Sequence, residues 1–368
     1  MLNRTTLPVV RLLTLVLGLG SVLGCQPASS NKTRVVGSNT STATAEDTPE
    51  AQPETKDTAT KRLALFQYAD SPLHDYGVEG IVEGLKAKGF TDKETIELSL
   101  HNALRNDETA AEIAQEIADG KFDVVVTTGT PALQAVARAN RDGKAVQVFG
   151  MVANPFRAEV GLNADDPKDH PANLVGVGSF PPVEPVFELA REIYPDLKVV
   201  GVVWNPAETN SVESTERARA ICKQLEIELL EAKAGTSDEV AAGAKSLVEQ
   251  GAQMLWIGAD NTAHHAADRV IAAANSGQIP VFSSLPDDAE RGALVDLSHD
   301  WNEVGKAIGS MAGDILAGTD PKDIEIQIHA DRLMLILNES VIEGLKDPWK
   351  FPDTVVERAD KVVKKPAQ

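Results

Sequence analysis

Only two of the 368 residues are cysteines, Cys25 and Cys222. Cys25 ends an N-terminal apolar segment and Cys222 sits in a helical pattern over 217–225. No disulfide framework exists, and Cys222 is expected as a buried free thiol. Positive charge is also scarce: 35 Lys and Arg stand against 55 Asp and Glu, a net −20. That balance argues against a nucleic-acid partner. The run Leu12–Leu19 is too short and too abruptly ended to span a bilayer as a permanent helix. Catalytic signatures are missing too. There is no G-x-S-x-G elbow, no P-loop and no dinucleotide-binding glycine fingerprint, so an enzyme has little to stand on. His264 and Asp268 lie one helical turn apart, but no third His or Cys is near them in sequence, and neither a metal nor a cofactor is expected.

What is present begins with an address. Met1–Gly24 joins Arg4 and Arg11 to an apolar stretch and small residues, the layout of a secretory signal peptide. Val22-Leu23-Gly24-Cys25 resembles a bacterial lipobox, which implies cleavage after Gly24, lipidation of Cys25 and a membrane anchor. Cleavage removes Arg4 and Arg11, leaving 33 basic against 55 acidic residues, −22 in all. Residues 26–60 are mostly Ser, Thr, Pro, Ala, Asn and Glu, and with Cys25 they read as a disordered tether. The rest, about 300 residues, is more than one compact core usually holds, and two lobes are expected.

From Lys61 onward apolar runs alternate with amphipathic segments. Strands are expected at 63–67, 95–99, 124–127, 146–149, 174–177, 199–204, 227–231, 254–257, 279–282 and 293–297. Helices are expected at 78–88, 108–118, 132–140, 183–193, 214–225, 239–249, 263–274 and 302–316. Such alternation predicts an α/β fold with doubly wound parallel sheets. The pattern also echoes itself. Leu63–Gly89 and Val199–Leu225 both read strand, polar loop, helix. Asp123–Asn140 and Gln253–Asn275 form a second matching pair at similar spacing. Two similar lobes follow, and ligands of open α/β sheets bind beyond the carboxyl ends of the strands. The loops there would face each other across one cleft.

The residues at those ends are the candidates for ligand contact. Thr128-Gly129-Thr130-Pro131 joins a strand to a helix, with Thr130 expected as the N-cap and its exposed N–H groups suited to an anion. Ser71 and His74 sit at the mouth of the first strand. Asn154 follows the fourth strand. Asn205, Glu208, Asn210 and Ser211 occupy a polar loop after the matching strand of the second half. There Glu208 meets a cation or faces water. Asp260 and Asn261 close a later strand, where Asp260 serves either an ammonium group or merely the helix that follows.

Taken in order, these segments resemble a known family. The run comprises Ser71-Pro72 with Asp75, Glu79-Gly80, Gly84-Leu85, Asp123-Val124-Val125, Thr130-Pro131-Ala132 and Asn154-Pro155. It continues through Asn205-Pro206 with Glu208, Asn210-Ser211, Asp260-Asn261-Thr262, Ile279–Phe282 and Glu290–Leu294. It is similar to the ABC-transporter substrate-binding proteins that include the aromatic amino-acid binders. The resemblance spans about Arg62 to Asp360. It implies a type I periplasmic-binding fold, no catalysis, and a small solute, an amino acid and possibly an aromatic one, held between lobes. Ser283 and Asp287 join the implied cleft residues. The implied partners are an ABC permease and ATPase, with the protein a monomer outside the cytoplasm on its lipid anchor. The chain departs from the family pattern at Asn154, where Asp is frequent, at Phe156 and Arg157, where small residues are usual, and at Ser71, where His is frequent. The expected lobes are 61–179 with 300–328 and 180–299 with 329–368, with crossings near Phe180, Asp300 and His329. A ligand-sensing subunit of a membrane receptor would use the same fold. A hydrolase or transferase on an α/β scaffold is the remaining alternative.

Overall fold

The computed structural model describes residues 60–329 and 332–364. The signal peptide, Cys25 and nearly all of the tether lie outside the described residues. The first half runs β1 (Lys61–Gln67), α1 (Pro72–Ala87), β2 (Ile96–Asn102), α2 (Asp107–Ile117), β3 (Val124–Thr128), α3 (Thr130–Ala139), β4 (Gln147–Val152) and β5 (Leu174–Gly178). The second runs α4 (Val183–Ile193), β6 (Val199–Trp204), α5 (Thr209–Gln224), β7 (Glu228–Lys233), α6 (Ser237–Glu249) and β8 (Met254–Ile257). It continues with α7 (Asn261–His265), α8 (Ala267–Ser276), β9 (Val281–Ser283), α9 (Asp288–Arg291) and β10 (Val295–His299). Last come α10 (Trp301–Leu316), β11 (Gln327–Ile328), β12 (Leu333–Asn338), α11 (Asp353–Val356) and β13 (Lys361–Val363).

Two sheets result, and each carries a core on both faces. The first is all parallel, in the order β11-β5-β4-β3-β1-β2. Side chains alternate along a strand, so Leu63 and Leu65 of β1 pack with α1 and α10 while Ala64 and Phe66 pack with α2 and α3. The second sheet is ordered β13-β12-β10-β9-β8-β6-β7. Its β8 sends Met254 and Trp256 to one core and Leu255 and Ile257 to the other. Burial on both faces is why Val124–Thr128 is apolar or hydroxyl-bearing throughout. Cys222 is a free thiol buried in the second lobe, where loss of solvation pushes it up to about 12.

The pattern-based elements need four corrections. β12 pairs antiparallel with β10. The chain reaches it after a detour through the first lobe, so no helical crossover forces it parallel. Helices α1 and α5 begin at Pro72 and Thr209, well before the expected starts at 78 and 214. Their first turns are too polar or glycine-rich to show periodicity. The expected helix 263–274 is broken at Ala266 into α7 and α8. Thr130 is not a cap: Gly129 takes that position with φ +90. Its N–H donates to the Gly150 carbonyl at 2.9 Å, which prolongs the strand pairing into a conformation that favours glycine.

The chain passes between the sheets at 179–182, at Asp300 and between Ile328 and Leu333. These passages are cross-tied. His299 Nε2 donates to the Phe180 carbonyl at 2.7 Å, and the His329 N–H donates to the Gly178 carbonyl at 2.8 Å. After its passage, α10 packs on α1 at backbone contact. A Cβ on Gly80 would lie 2.0 Å from the Asn302 carbonyl oxygen, and one on Gly309 would lie 2.1 Å from that of Ile81. Gly309→Ala is therefore expected to destabilise the protein by about 2 kcal/mol. Gly344→Ala, with nothing within 4 Å of the added atom, should change stability by less than about 0.5 kcal/mol. Urea midpoints at constant slope measure both.

Candidate functional site

Every loop at the carboxyl end of β1, β3, β4, β6, β8 and β9 points toward the space between the sheets. A cavity there comprises about 550 Å³ of space, part of it open to solvent. The first lobe contributes Ser71, His74, Gly129 and Thr130, with Met151 and Ala153 from the end of β4 and Trp301 from the start of α10. The second contributes Asn210, Asp260, Asn261, His264, Ser284 and Leu285. Six buried polar atoms on this lining have no hydrogen-bond partner among the described residues: His74 Nε2, Thr130 Oγ1, Ser179 Oγ, Asn210 Oδ1, His264 Nε2 and Trp301 Nε1. Buried polar groups are normally satisfied, and six orphans around one cavity mark a place built for something else to bond.

One carboxylate organises the second wall. Glu208 Oε1 accepts from the Thr262 N–H at 3.1 Å, Thr262 Oγ1 at 2.7 Å and Asn205 Nδ2 at 3.3 Å. Its Oε2 accepts from the Asn261 N–H at 2.8 Å, Asn261 Nδ2 at 2.7 Å and Asn210 Nδ2 at 3.1 Å. Glu208 thus joins the loop before α5 to the start of α7, where free N–H groups favour a negative charge. Asp260 completes the brace. Its Oδ2 accepts from the Asn205 N–H and Ser211 Oγ, both at 2.6 Å, and its Oδ1 accepts from the Ala263 N–H at 2.6 Å. Burial first, and then the charge of Glu208, raise the Asp260 carboxyl above its ordinary range.

The expected residues therefore divide. Ser71, His74, Thr130, Asn210, Asp260 and Asn261 line the cavity. Asn205, Glu208 and Ser211 stand behind it as braces, because their polar atoms are consumed by the loop itself. Thr128 is buried at the end of β3, off the lining. Asn154 is turned to its own backbone, accepting from the Phe156 N–H at 3.2 Å. Ser283 donates to Asp288 Oδ2 at 2.7 Å inside the lobe, and its neighbour Ser284 reaches the cavity instead. Asp287 is off the lining and accepts from Tyr76 Oη of the first lobe at 3.1 Å. Asp268 is held by Arg291 at 2.8 Å, away from His264. Among the described residues no group of three or more His, Cys, Asp or Glu is placed to hold a metal. Trp301, Ser179 and Met151 went unpredicted. Trp301 could be found only as the first residue after a crossing, and no sequence signal marks Met151, whose positive φ of 56 emerges only in the fold.

The walls are closed on each other. Arg157 of the first lobe bonds Glu213 Oε2 at 2.8 Å and also Glu216, both on α5. Gln134 Nε2 donates to Thr209 Oγ1 at 3.2 Å, and Leu73 packs against apolar side chains of both lobes. His74 and His264, one from each lobe, are both pushed down to about 4. Burial is the main cause, followed by His264 for His74 and by Arg291 for His264. Both rings are neutral near pH 7.

Two parallel-sheet lobes, three crossings and a cavity closed between the lobes define a solute-binding protein of the type I periplasmic kind. The chain belongs to the family described as ABC transporter substrate binding protein, which it matches over residues 62–363. It is an extracytoplasmic-type solute receptor of an ABC transporter, in a family of substrate-binding proteins. A relative, the tyrosine-binding protein of Clostridioides difficile (strain R20291), is 26% identical over 90% of this chain and 89% of its own. Among solved structures, an ABC domain in complex with L-Trp from Streptococcus pneumonia has a TM-score of 0.76 at 22% identity, covering 83% of this chain and all of the other. The ligand-free, open structure of a substrate-binding protein with adhesive properties from Clostridium difficile has a TM-score of 0.62 at 27% identity, with the same coverage.

Glu208→Gln replaces an accepting oxygen by a donor among donors, stranding groups at the start of α7. We expect a loss on the order of 3 kcal/mol in denaturant unfolding, together with weaker binding of any ligand that contacts Asn210 or Asn261.

Proposed function

We propose that the protein captures an aromatic amino acid between its lobes and delivers it to an ABC permease and ATPase, without chemical turnover. The observation that carries this reading is the closed cavity with six orphaned polar atoms. It offers polar contacts for the charged end of a solute and Leu73, Met151 and Leu285 for an apolar side chain. The tyrosine-binding relative, aligned over nearly the whole of both chains, supports an amino acid over a sugar or nucleoside. In this reading the mature protein is a monomer, anchored by lipid at Cys25 and set off from the membrane by residues 26–60. The lobes 61–179 with 300–328 and 180–299 with 329–368 close as two bodies about the tied crossings. Contacts between the lobes, Arg157 with Glu213 and Gln134 with Thr209, support closure as the ligand-holding state.

Calorimetry and thermal unfolding of residues 61–368 with L-tyrosine, L-tryptophan and L-phenylalanine test the substrate. At a hundredfold excess over Kd, the true ligand should add about 2.7 kcal/mol of stability. If none of the three acts and a sugar or nucleoside does, the amino-acid reading is wrong.

A second expectation concerns closure. Arg157 is half exposed, and its pairing with Glu213 and Glu216 exists only while the lobes touch. Arg157→Ala should weaken ligand binding by roughly fivefold or less, through faster release. The difference should shrink in 1 M salt, where the Debye length is about 3 Å. Stopped-flow release rates at two ionic strengths measure it.

A further inference from the structure

The orphaned atoms of the cavity are sorted by lobe and by sign. On the first lobe stand His74 Nε2, Thr130 Oγ1, Ser179 Oγ and Trp301 Nε1, in residues that are 3%, 2%, 2% and 7% exposed. An indole N–H can only donate. Thr130 is the first residue of the ten-residue α3, whose N-terminal end carries the positive pole of the helix and N–H groups without intrahelical acceptors. The hydroxyls can turn either way and the His74 ring can serve either way by its tautomer, but the indole and the helix end set the sign of this wall. It favours negative charge.

The second wall has the opposite character. Asn210 is 8% exposed, and its Nδ2 donates to Glu208 Oε2 at 3.1 Å and to the Ala259 carbonyl at 2.9 Å. Both partners can only accept, which fixes the amide orientation and leaves Oδ1 on the cavity as an acceptor. His264 is 6% exposed, and its Nε2 has no hydrogen-bond partner. In its tautomer protonated at Nδ1, the neutral ring presents a lone pair at Nε2 to a donor. Asp288 Oδ1, 3.8 Å from that nitrogen, is beyond hydrogen-bond distance and is held by Arg291 at 2.9 Å. The buried Asp260 carboxylate lies on the same lining.

We propose that the cavity is polarised across the lobe boundary. The first lobe takes the α-carboxylate of an amino acid at Thr130 and Trp301, and the second takes its α-ammonium at Asn210 and His264 beside Asp260. The proposal rests on the amino-acid reading above. It goes further in making Asn210 and Trp301 specificity-determining residues, with each lobe holding one charge of the zwitterion. Neither lobe alone then recognises an amino acid, and closure is the step that tests for both charges. A ligand lacking one charge contacts one wall and gives the other no reason to close.

The test uses whichever of L-tyrosine, L-tryptophan and L-phenylalanine binds tightest, with its matching amine (no carboxylate) and matching 3-arylpropionate (no ammonium). In a crystal structure of the amino-acid complex, the carboxylate should lie within hydrogen-bond distance of Trp301 Nε1 or Thr130. The ammonium should lie within that distance of Asn210 Oδ1. In calorimetry, Trp301→Phe should weaken the amino acid about tenfold and leave the amine unchanged. Asn210→Ala should weaken the amino acid about tenfold and leave the arylpropionate unchanged. Because Asn210→Ala also loosens Glu208, unfolding curves accompany it, and the crystal structure decides if that variant does not fold. The reverse orientation, or both charged groups on one lobe, overturns the proposal while the amino-acid reading stands. Failure of all three amino acids to bind removes both.

Discussion

The Glu208 carboxylate is the constraint from which the second half of the cavity follows. It lies at the junction of two loops that come from different strands and share no backbone pairing, and it holds six donors at once. Two of those donors are the first N–H groups of α7, which have no acceptor within the helix. Two others are the amides of Asn210 and Asn261, and both residues line the cavity. The charge is stabilised by its donors and in return fixes where they point. A residue that reads in sequence as a contact for a cation is in the fold the reason its neighbours can be contacts.

Alternation of apolar runs and amphipathic segments was enough to indicate two α/β lobes, because strands covered on both faces, such as Val124–Thr128, must be apolar along their length. The ends of elements were less visible. The first turns of α1 and α5 carry Pro-Leu-His-Asp and Thr-Asn-Ser, too few apolar side chains to show a period, and these are the turns that reach the cavity. Local pattern therefore fails where the chain turns from packing to recognition. The return strand Leu333–Asn338 was hidden for another reason: its partner is set by a detour through the other lobe, which no local signal records.

The candidate site was legible at the level of loops and not of side chains. Sequence placed Asn205, Asn210, Asp260 and Ser283 near the carboxyl ends of strands, where any of them could face a ligand. Which ones do depends on competing partners. Asn205 and Ser211 are drawn into Asp260, Ser283 into Asp288, and Asn154 into its own turn, while Asn210 keeps one oxygen free. Arg157, a departure from the family pattern, meets the buried Glu213 across the lobes and lies off the cavity lining. Its effect on binding runs through the equilibrium between open and closed forms.

The backbone contact between α1 and α10 reaches further than stability. Both helices begin at the cavity, α1 bringing His74 and α10 bringing Trp301, and their glycines leave no room for one to slide on the other. The relative position of these two side chains is settled when the first lobe folds, before any solute arrives. Cavity residues that stand on neither helix, such as Ala153, Ser284 and Leu285, can be exchanged without moving that pair, so the size and polarity of the cavity can be altered while its fixed distance is kept.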